Sequence, residues 1–350
     1  MKRWAPAWLA GYDRSKGVQD AVAGLVVTIL LVPQSLAYAM LAGLPPHVGM
    51  YASILPLVAY AAFGSSMTLS VGPVAVASLM TAAAVTPLAT PGSGEYVLLS
   101  VLLALIGGVV LLLLGVLRMG FVANLLSHPV ISGFVTGSAI LIALGQLKPL
   151  LGIPAHGETA LQLLFSLVAR ARDLHVPTAA LGLASVLLLW ASRRYLARAL
   201  RNFGMGPQGA DIAAKLAPMV LVLAAIGLVL GLDLDTAADV AVVGQIPAGL
   251  PSLQLAVPSA AQLQALFVPA VMIALIGFVE SVSVAQSLAN KRGERVSADA
   301  ELRGLGVANL ASAVSGGFPV TGGFARSVVN CTAGARTPLS GVTWPKCAAP

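Results

Sequence analysis

The chain of 350 residues is 58% hydrophobic and only 9% charged, against about a quarter charged in soluble domains, so its surface cannot be that of a water-soluble globule. Lys and Arg number 20 against 13 Asp and Glu, a net charge of +7; in so apolar a chain this excess marks membrane boundaries, and nucleic acid is excluded as a partner. Cys331 and Cys347 match no metal-ligand spacing and are too few to staple a secreted fold, so no metal site is expected.

In chain order, apolar segments bounded by Gly, Pro and charge predict spans at 20–42, 47–63, 95–117, 129–150, 176–196, 212–232, 264–290 and 300–316. Each is near the roughly 20 residues that cross about 30 Å of hydrocarbon. The first cannot be a cleaved leader, because its apolar run is too long and many spans follow. Two pieces are too short to cross alone: Pro73 to Thr86, after Ser70-Val71-Gly72, and Val320 to Thr332, after Ser315-Gly316-Gly317-Phe318-Pro319. They read as half-helices, each preceded by a strand-like approach. Between spans, Glu158 to Arg172 reads as a short amphipathic helix on the outer surface and Asp233 to Pro258 as an outer loop. With the amino terminus in the cytoplasm, basic residues such as Arg14, Lys16, Arg118, Arg193, Arg198 and Arg295 face inward. Only Lys148, Arg170 and Arg172 then face outward, as the positive-inside rule requires.

An ionisable side chain in hydrocarbon costs about 2.5 to 3.5 kcal/mol on the insertion scale, so it marks function by default. Two are expected there: Glu280, in the span 264–290, and Arg326, in the second half-helix. They either pair with each other or form an anion site at Arg326 with Glu280 as the coupling group. A helix that begins within the membrane presents free backbone N–H groups and about half a positive charge, which suits an anion. Pro73 fits a first helical turn, where its missing N–H costs nothing, and Gly322 and Gly323 would let an anion approach the backbone. Pro33 is expected to interrupt the first span beside Gln34 and Tyr38, which share one face and would line a cavity. Gln34 precedes Pro73 by 39 residues and Glu280 precedes Pro319 by 39, and an odd number of crossings separates the copies, which predicts an inverted repeat. His47, His128, His156 and His175 fall at span ends or loops and no catalytic grouping occurs, so neither an enzyme nor a cofactor is expected.

The run Val32-Pro33-Gln34-Ser35-Leu36-Ala37-Tyr38-Ala39-Met40-Leu41-Ala42-Gly43-Leu44-Pro45-Pro46-His47-Val48-Gly49-Met50-Tyr51 resembles the first-span signature of the SulP family of sulfate permeases. Gly64-Ser65-Ser66, Ser70-Val71-Gly72-Pro73-Val74-Ala75, Gly277-Phe278-Val279-Glu280-Ser281 and Phe318-Pro319-Val320-Thr321-Gly322-Gly323-Phe324-Ala325-Arg326-Ser327 match later motifs in order. The resemblance implies an all-α polytopic membrane protein with the inverted-repeat, seven-plus-seven fold shared with uracil permease, its two half-helices meeting at mid-membrane. It implies a cytoplasmic segment at 1–17, a core domain from 18–120 and 264–342, a gate domain from 121–235 and an outer loop at 236–263. The substrate site would comprise Gln34, Tyr38, Val74, Gly323, Ala325 and Arg326, with Glu280 as the ion-coupling residue. Gly323 and Ala325 stand where the family often has serines, so backbone N–H groups would carry more of the binding.

The implied activity is secondary active transport of a small inorganic anion, with sulfate leading and bicarbonate or a dicarboxylate as alternatives. It would run by alternating access, coupled to H+ or Na+, in a multi-pass protein of the cytoplasmic membrane, surrounded by lipid and homodimeric. The family's spans eleven to fourteen and its STAS domain have no counterpart in this sequence, and 343–350 reads as an aberrant tail. The second repeat is therefore expected to be incomplete, and the chain alone to be an inactive fragment.

Overall fold

The computed structural model describes residues 13–124, 128–154, 160–242 and 257–341, with Leu253. Residues 1–12 of the expected cytoplasmic segment, most of the outer loop and the 343–350 tail lie outside them. The chain divides into two compact units, one from Met1–Ile131 with Ile246–Pro350 and one from Ser132–Gln245.

In the first unit, α1 (Arg14–Leu41) starts where the Asp13 side chain accepts the Lys16 N–H at 2.8 Å. It ends before Gly43, whose φ of 76° is a conformation that glycine adopts without strain. Pro33 does not divide it, contrary to expectation: the helix runs 28 residues through the proline. α2 (Pro46–Phe63) opens on a proline in its first turn. The two helices pack so closely that a Cβ at Gly49 would land on the Ser35 carbonyl oxygen, and Ser35 Oγ meets Ser53 Oγ at 2.8 Å. After strand β1 (Val71–Gly72) come α3 (Ala75–Val85) and α4 (Gly94–Val116), the latter capped by Ser93.

The second unit holds α5 (His128–Leu151) almost entirely, then α6 (Ala160–Ala169), α7 (Val176–Ala191), a π turn over Ser192–Leu196, α8 (Ala197–Asn202), α9 (Pro207–Gly231) and α10 (Leu234–Ala237). The expected amphipathic helix is present as α6. The span expected at 176–196 continues through the π turn to Asn202. Ile153, Leu163 and Leu167 form this unit's small buried cluster, and an open cleft of about 520 Å³ lies among α5, α7 and α9, lined by residues such as Gln146, Thr178 and Ser185.

The chain returns to the first unit with α11 (Ala260–Arg292), begun by a reciprocal Ser259–Gln262 capping box and ended by Gly293 at φ 68°. It continues with α12 (Ala298–Val314), strand β2 (Thr321–Gly322) and α13 (Phe324–Thr332). The second half-helix is thus shorter than the 320–332 expected, because Thr321 and Gly322 are extended and pair with β1. Among the described residues five helices are long and apolar enough to cross a membrane: α1, α2, α4, α7 with its continuation, and α11. α3 and α13, of 11 and 9 residues, measure about 17 and 14 Å, half the hydrocarbon thickness.

Extended backbone inside apolar surroundings has to find hydrogen bonds within the protein, and α12 supplies most of them from one face. Near its start the buried Glu301 accepts Ser65 N–H at 2.9 Å, Ser66 N–H at 3.0 Å, Ser65 Oγ–H at 2.7 Å and Tyr60 O–H at 2.7 Å. Two turns on, Asn309 mimics a strand: its Nδ2 donates to Val320 O at 2.9 Å and its Oδ1 accepts Val320 N–H at 3.0 Å. One turn later Ser312 Oγ donates to Phe318 O at 2.7 Å. Glycines let α12 lie against α4 and the end of α2, since a Cβ on Gly306 would be 2.6 Å from Leu112 N and one on Gly304 2.8 Å from Gly64 Cα. Besides Arg326, the acidic residues Glu301 and Asp20, each near the start of its helix, are fully buried. Asp20 accepts the Arg336 N–H at 2.7 Å and the Thr337 N–H at 3.1 Å, tying α1 to the segment after α13.

Asn309→Ala would leave the Val320 N–H and C=O buried and unpaired, at on the order of 3 kcal/mol. Its apparent Tm in detergent is expected to fall well below that of the parent. Val307→Ala, on the partly exposed side of α12, should leave Tm nearly unchanged.

Candidate functional site

The two approaches meet in an antiparallel ladder, Val71 opposite Gly322 and Gly72 opposite Thr321, extended by Gly323 N–H donating to Ser70 O at 3.0 Å. α11 holds the outer edge of β2. Ser281 Oγ accepts the Gly322 N–H at 2.8 Å and meets Thr321 Oγ1 at 2.6 Å, and Thr321 Oγ1 donates to Gly277 O at 2.7 Å. Gly277 permits this contact, because a Cβ there would be 3.2 Å from Thr321 Cβ. α13 holds β1 in turn: Ser327 Oγ accepts the Ser70 N–H at 2.9 Å and Asn330 Nδ2 donates to Thr68 O at 3.1 Å.

From this ladder α3 and α13 depart with N-terminal residues Val74 and Gly323, both extended and neither offering a side-chain cap. The backbone N–H groups of Ala75, Val76 and Ala77, and of Phe324, Ala325 and Arg326, therefore lack intrahelical acceptors and carry the positive ends of two helix dipoles. Pro73 sits one residue before the helix end instead of in the first turn, which corrects the expected position. Its role lies in its carbonyl, which accepts a hydrogen bond from Arg326 Nη1 at 2.7 Å.

Arg326 is the hub. Its side chain is 2% exposed and reaches from the first turn of α13 to the entrance of α3. Nε and Nη2 have no hydrogen-bond partner, and among the described residues the other buried side-chain atoms in that condition are Ser70 Oγ and Asn330 Oδ1. Nη1 is engaged by Pro73, so the free edge is Nε–H with Nη2–H, two parallel donors spaced to meet two oxygens of one oxyanion. A Cβ on Gly323 would be 2.9 Å from Nη2 and 3.1 Å from Nε, and one on Gly72 3.3 Å from Nη2. The guanidinium thus lies flat over two glycines. Gly322 has a different part, since its Cβ would meet Leu69 Cδ1 at 2.7 Å: it makes room for packing, which corrects the expectation that it admits substrate.

Of the other expected site residues, Tyr38 is half-buried on α1 with its phenol in electrostatic reach of Arg326, and Gln34 lies one turn before it on the same face. α1 packs against both half-helices. Val74 is buried beside Pro73 and Ala325 is exposed on the first turn of α13. Glu280 is half-buried on α11 and has neither an ion-pair nor a hydrogen-bond partner among the described residues, so the alternative in which it merely neutralises Arg326 is not the arrangement found. Residues missed by the sequence reading are those that hold the frame: Glu301, Asn309, Ser281, Thr321 and Ser327. Glu301, Asn309 and Ser312 recur at helical spacing on one face of an otherwise small and apolar helix, a polar stripe that could have announced them.

The model of the sulfate permease family matches residues 18–344. A probable sulfate transporter of Mycobacterium tuberculosis strain CDC 1551 is 38% identical over 338 residues, covering 96% of this chain and 57% of the relative. The chloroplastic sulfate transporter 4.1 of Arabidopsis thaliana is 34% identical over 340 residues, covering 96% of this chain and 47% of the relative. The chain thus spans about half the length of these relatives. Among solved structures, the murine solute carrier 26 member A9 anion transporter in its inward-facing state superposes with a TM-score of 0.83 at 22% identity, covering 98% of this chain and 60% of that one. The transmembrane domain of the cyanobacterial bicarbonate transporter BicA gives 0.79 at 24%, covering 95% and 81%. At these identities the likeness is one of fold.

The two adjacent glycines are expected to separate on substitution. Gly323→Ala meets only the end of the Arg326 side chain, so the fold should survive with Tm, read by thermal denaturation in detergent, nearly unchanged. Gly322→Ala presses on the buried Leu69 instead and should lower Tm clearly below that of Gly323→Ala.

Proposed function

The chain belongs to the sulfate permease family, and from that premise we propose that it forms the anion-binding part of a membrane transporter for a small oxyanion, sulfate first. The observation that carries this reading is the Arg326 guanidinium, buried between two uncapped half-helix N-termini with Nε–H and Nη2–H unpaired. A fixed cation and two helix dipoles supply positive potential where hydration is lost, and the paired N–H edge matches two oxygens of one anion where a halide would meet a single point. Sulfate and bicarbonate both satisfy that geometry; the family and the relatives' names favour sulfate, and the likeness in fold to a bicarbonate transporter supports the second.

Gln34 and Tyr38 face the anion from α1, Val74 and Gly323 place the two helix ends, and Ala325 leaves its backbone N–H accessible. Glu280 balances charge as the coupling group for H+ or Na+, supported by its partial burial without a partner. The antiparallel meeting of two strand and half-helix pairs supports an inverted repeat and movement by alternating access of a core made from 18–120 and 264–342 against a gate made from 121–235. The amino terminus is cytoplasmic, in line with the distribution of Lys and Arg, and the assembled transporter is a homodimer.

Sulfate is expected to raise the Tm of the purified protein in a saturable way, by binding the folded state alone, and chloride at equal ionic strength to do so much less. Arg326→Ala should weaken sulfate binding on the order of ten- to a hundredfold with the fold retained. Binding unchanged in Arg326→Ala, or equal stabilisation by chloride, would remove the oxyanion assignment. In proteoliposomes of a transport-competent form, Glu280→Gln should abolish gradient-driven sulfate uptake while sulfate exchange persists, because an amide neither exchanges a proton nor balances a cation. Undiminished gradient-driven uptake would make Glu280 structural.

A further inference from the structure

The run from Val176 to Asn202 is apolar enough to cross a membrane yet 27 residues long, about 40 Å at 1.5 Å per residue. That exceeds the hydrocarbon core by about 10 Å. Its apolar part stops at Trp190, and the sequence then reads Ala191-Ser192-Arg193-Arg194-Tyr195-Leu196-Ala197-Arg198-Ala199-Leu200-Arg201-Asn202-Phe203, with no acidic residue between Asp173 and Asp211. The C-terminal end of this helix therefore stands in a headgroup layer, and it carries four arginines.

The local geometry is unusual at that depth. Residues Ser192–Leu196 form a π turn, and across it Trp190 meets Tyr195 edge to face, with ring centroids 5.9 Å apart and an interplanar angle of 81°. In an α-helix residues five apart are about 140° apart around the axis and cannot touch in this way; a turn closed by i→i+5 bonds brings them to one side. The same turn separates Arg193 from Arg198 by five positions. Trp190, Tyr195 and Phe203 are 59%, 49% and 89% exposed, and all four arginines are exposed. Arg193, Arg194 and Arg198 have no hydrogen-bond or ion-pair partner among the described residues. An aromatic pair belongs at the membrane interface, and arginine forks fit phosphate oxygens two at a time.

We propose that the segment Trp190–Phe203 is a binding surface for anionic phospholipid headgroups, with Arg193, Arg194, Arg198 and Arg201 as phosphate donors and the Trp190–Tyr195 pair and Phe203 as anchors in the interface. A soluble acidic partner fits less well, because the arginines alternate with exposed rings and continue directly from an apolar span, which keeps them in the lipid plane. A purely topological anchor needs only charge on one side of the membrane; here the charge is all arginine, beside rings aligned by a widened turn.

The chain has four tryptophans, Trp4, Trp8, Trp190 and Trp344, so W4F/W8F/W344F makes Trp190 the sole reporter. In bilayers of brominated phosphatidylcholine, which quenches Trp190 on contact, unbrominated phosphatidylglycerol is expected to relieve quenching at a mole fraction about fivefold or more below that needed of unbrominated phosphatidylcholine. The preference should collapse in 1 M NaCl, where the screening length is about 3 Å. R193K/R194K/R198K/R201K should weaken it, because lysine keeps the charge but not the fork, and R193Q/R194Q/R198Q/R201Q should lose it. Equal relief by the two lipids in the parent would overturn the proposal, and so would a preference that survives in the glutamine variant or in 1 M NaCl. If the glutamine variant fails to insert, the parent's lipid ratio and its salt dependence decide alone.

Discussion

Extended backbone in apolar surroundings governs the rest of this structure. Two chain segments some 250 residues apart each stop being helical, run extended for several residues and then begin a half-length helix. Every N–H and C=O along those runs lacks water to bond with, and each one left bare costs kcal/mol. The four residues of the ladder answer part of that demand by pairing Val71 with Gly322 and Gly72 with Thr321. Side chains answer the rest: Glu301 at the start of the first approach, Asn309 and Ser312 along the second, and Ser281 and Ser327 on the flanks.

α12 is the ruler of this arrangement. It grips the first approach with Glu301 and the second with Asn309 and Ser312, about 12 and 17 Å further along its axis at 1.5 Å per residue. The helix can do this only because it lies nearly backbone to backbone against α4 and the end of α2, where Gly108, Gly304 and Gly306 stand in place of side chains that would collide. Small residues at such contacts are the usual device of helices that pack in lipid, where apolar area gives little drive to associate. The closeness of α12 to α4 thereby helps to set where the two half-helices begin.

What the ladder satisfies and what it leaves open are complementary. All the bonding capacity described above is directed at the strands, while the helix ends just beyond them stay uncapped and the Nε–Nη2 edge of Arg326 stays free. The same side chain is anchored at its other edge by Pro73, so it links α13 to the entrance of α3 and presents its remaining donors in a fixed plane. Positive potential, fixed donors and exclusion of water therefore coincide at one place, the condition under which electrostatic binding is strong.

The sequence by itself determined the membrane class, nearly every helix, the existence of two short helices with strand-like approaches, and the presence of an arginine in the second of them. These follow from composition, apolar run length and the cost of an isolated charge, all of which are local in the chain. It misjudged what depends on partners far away in sequence. Glu301 looked like an ordinary acidic residue in a helix's first turn until the fold brought Tyr60, Ser65 and Ser66 onto it. Pro73 fitted a helix start by its own chemistry, yet the start was decided two residues later by the pairing of β1 with β2. Gly322 and Gly323 were indistinguishable as adjacent glycines, and only tertiary structure placed Leu69 over one and Arg326 over the other. Hydropathy and capping act over a few residues and can be read along a line. The placing of hydrogen-bond donors against acceptors some 240 to 260 positions away is decided only when the backbone must be satisfied in three dimensions.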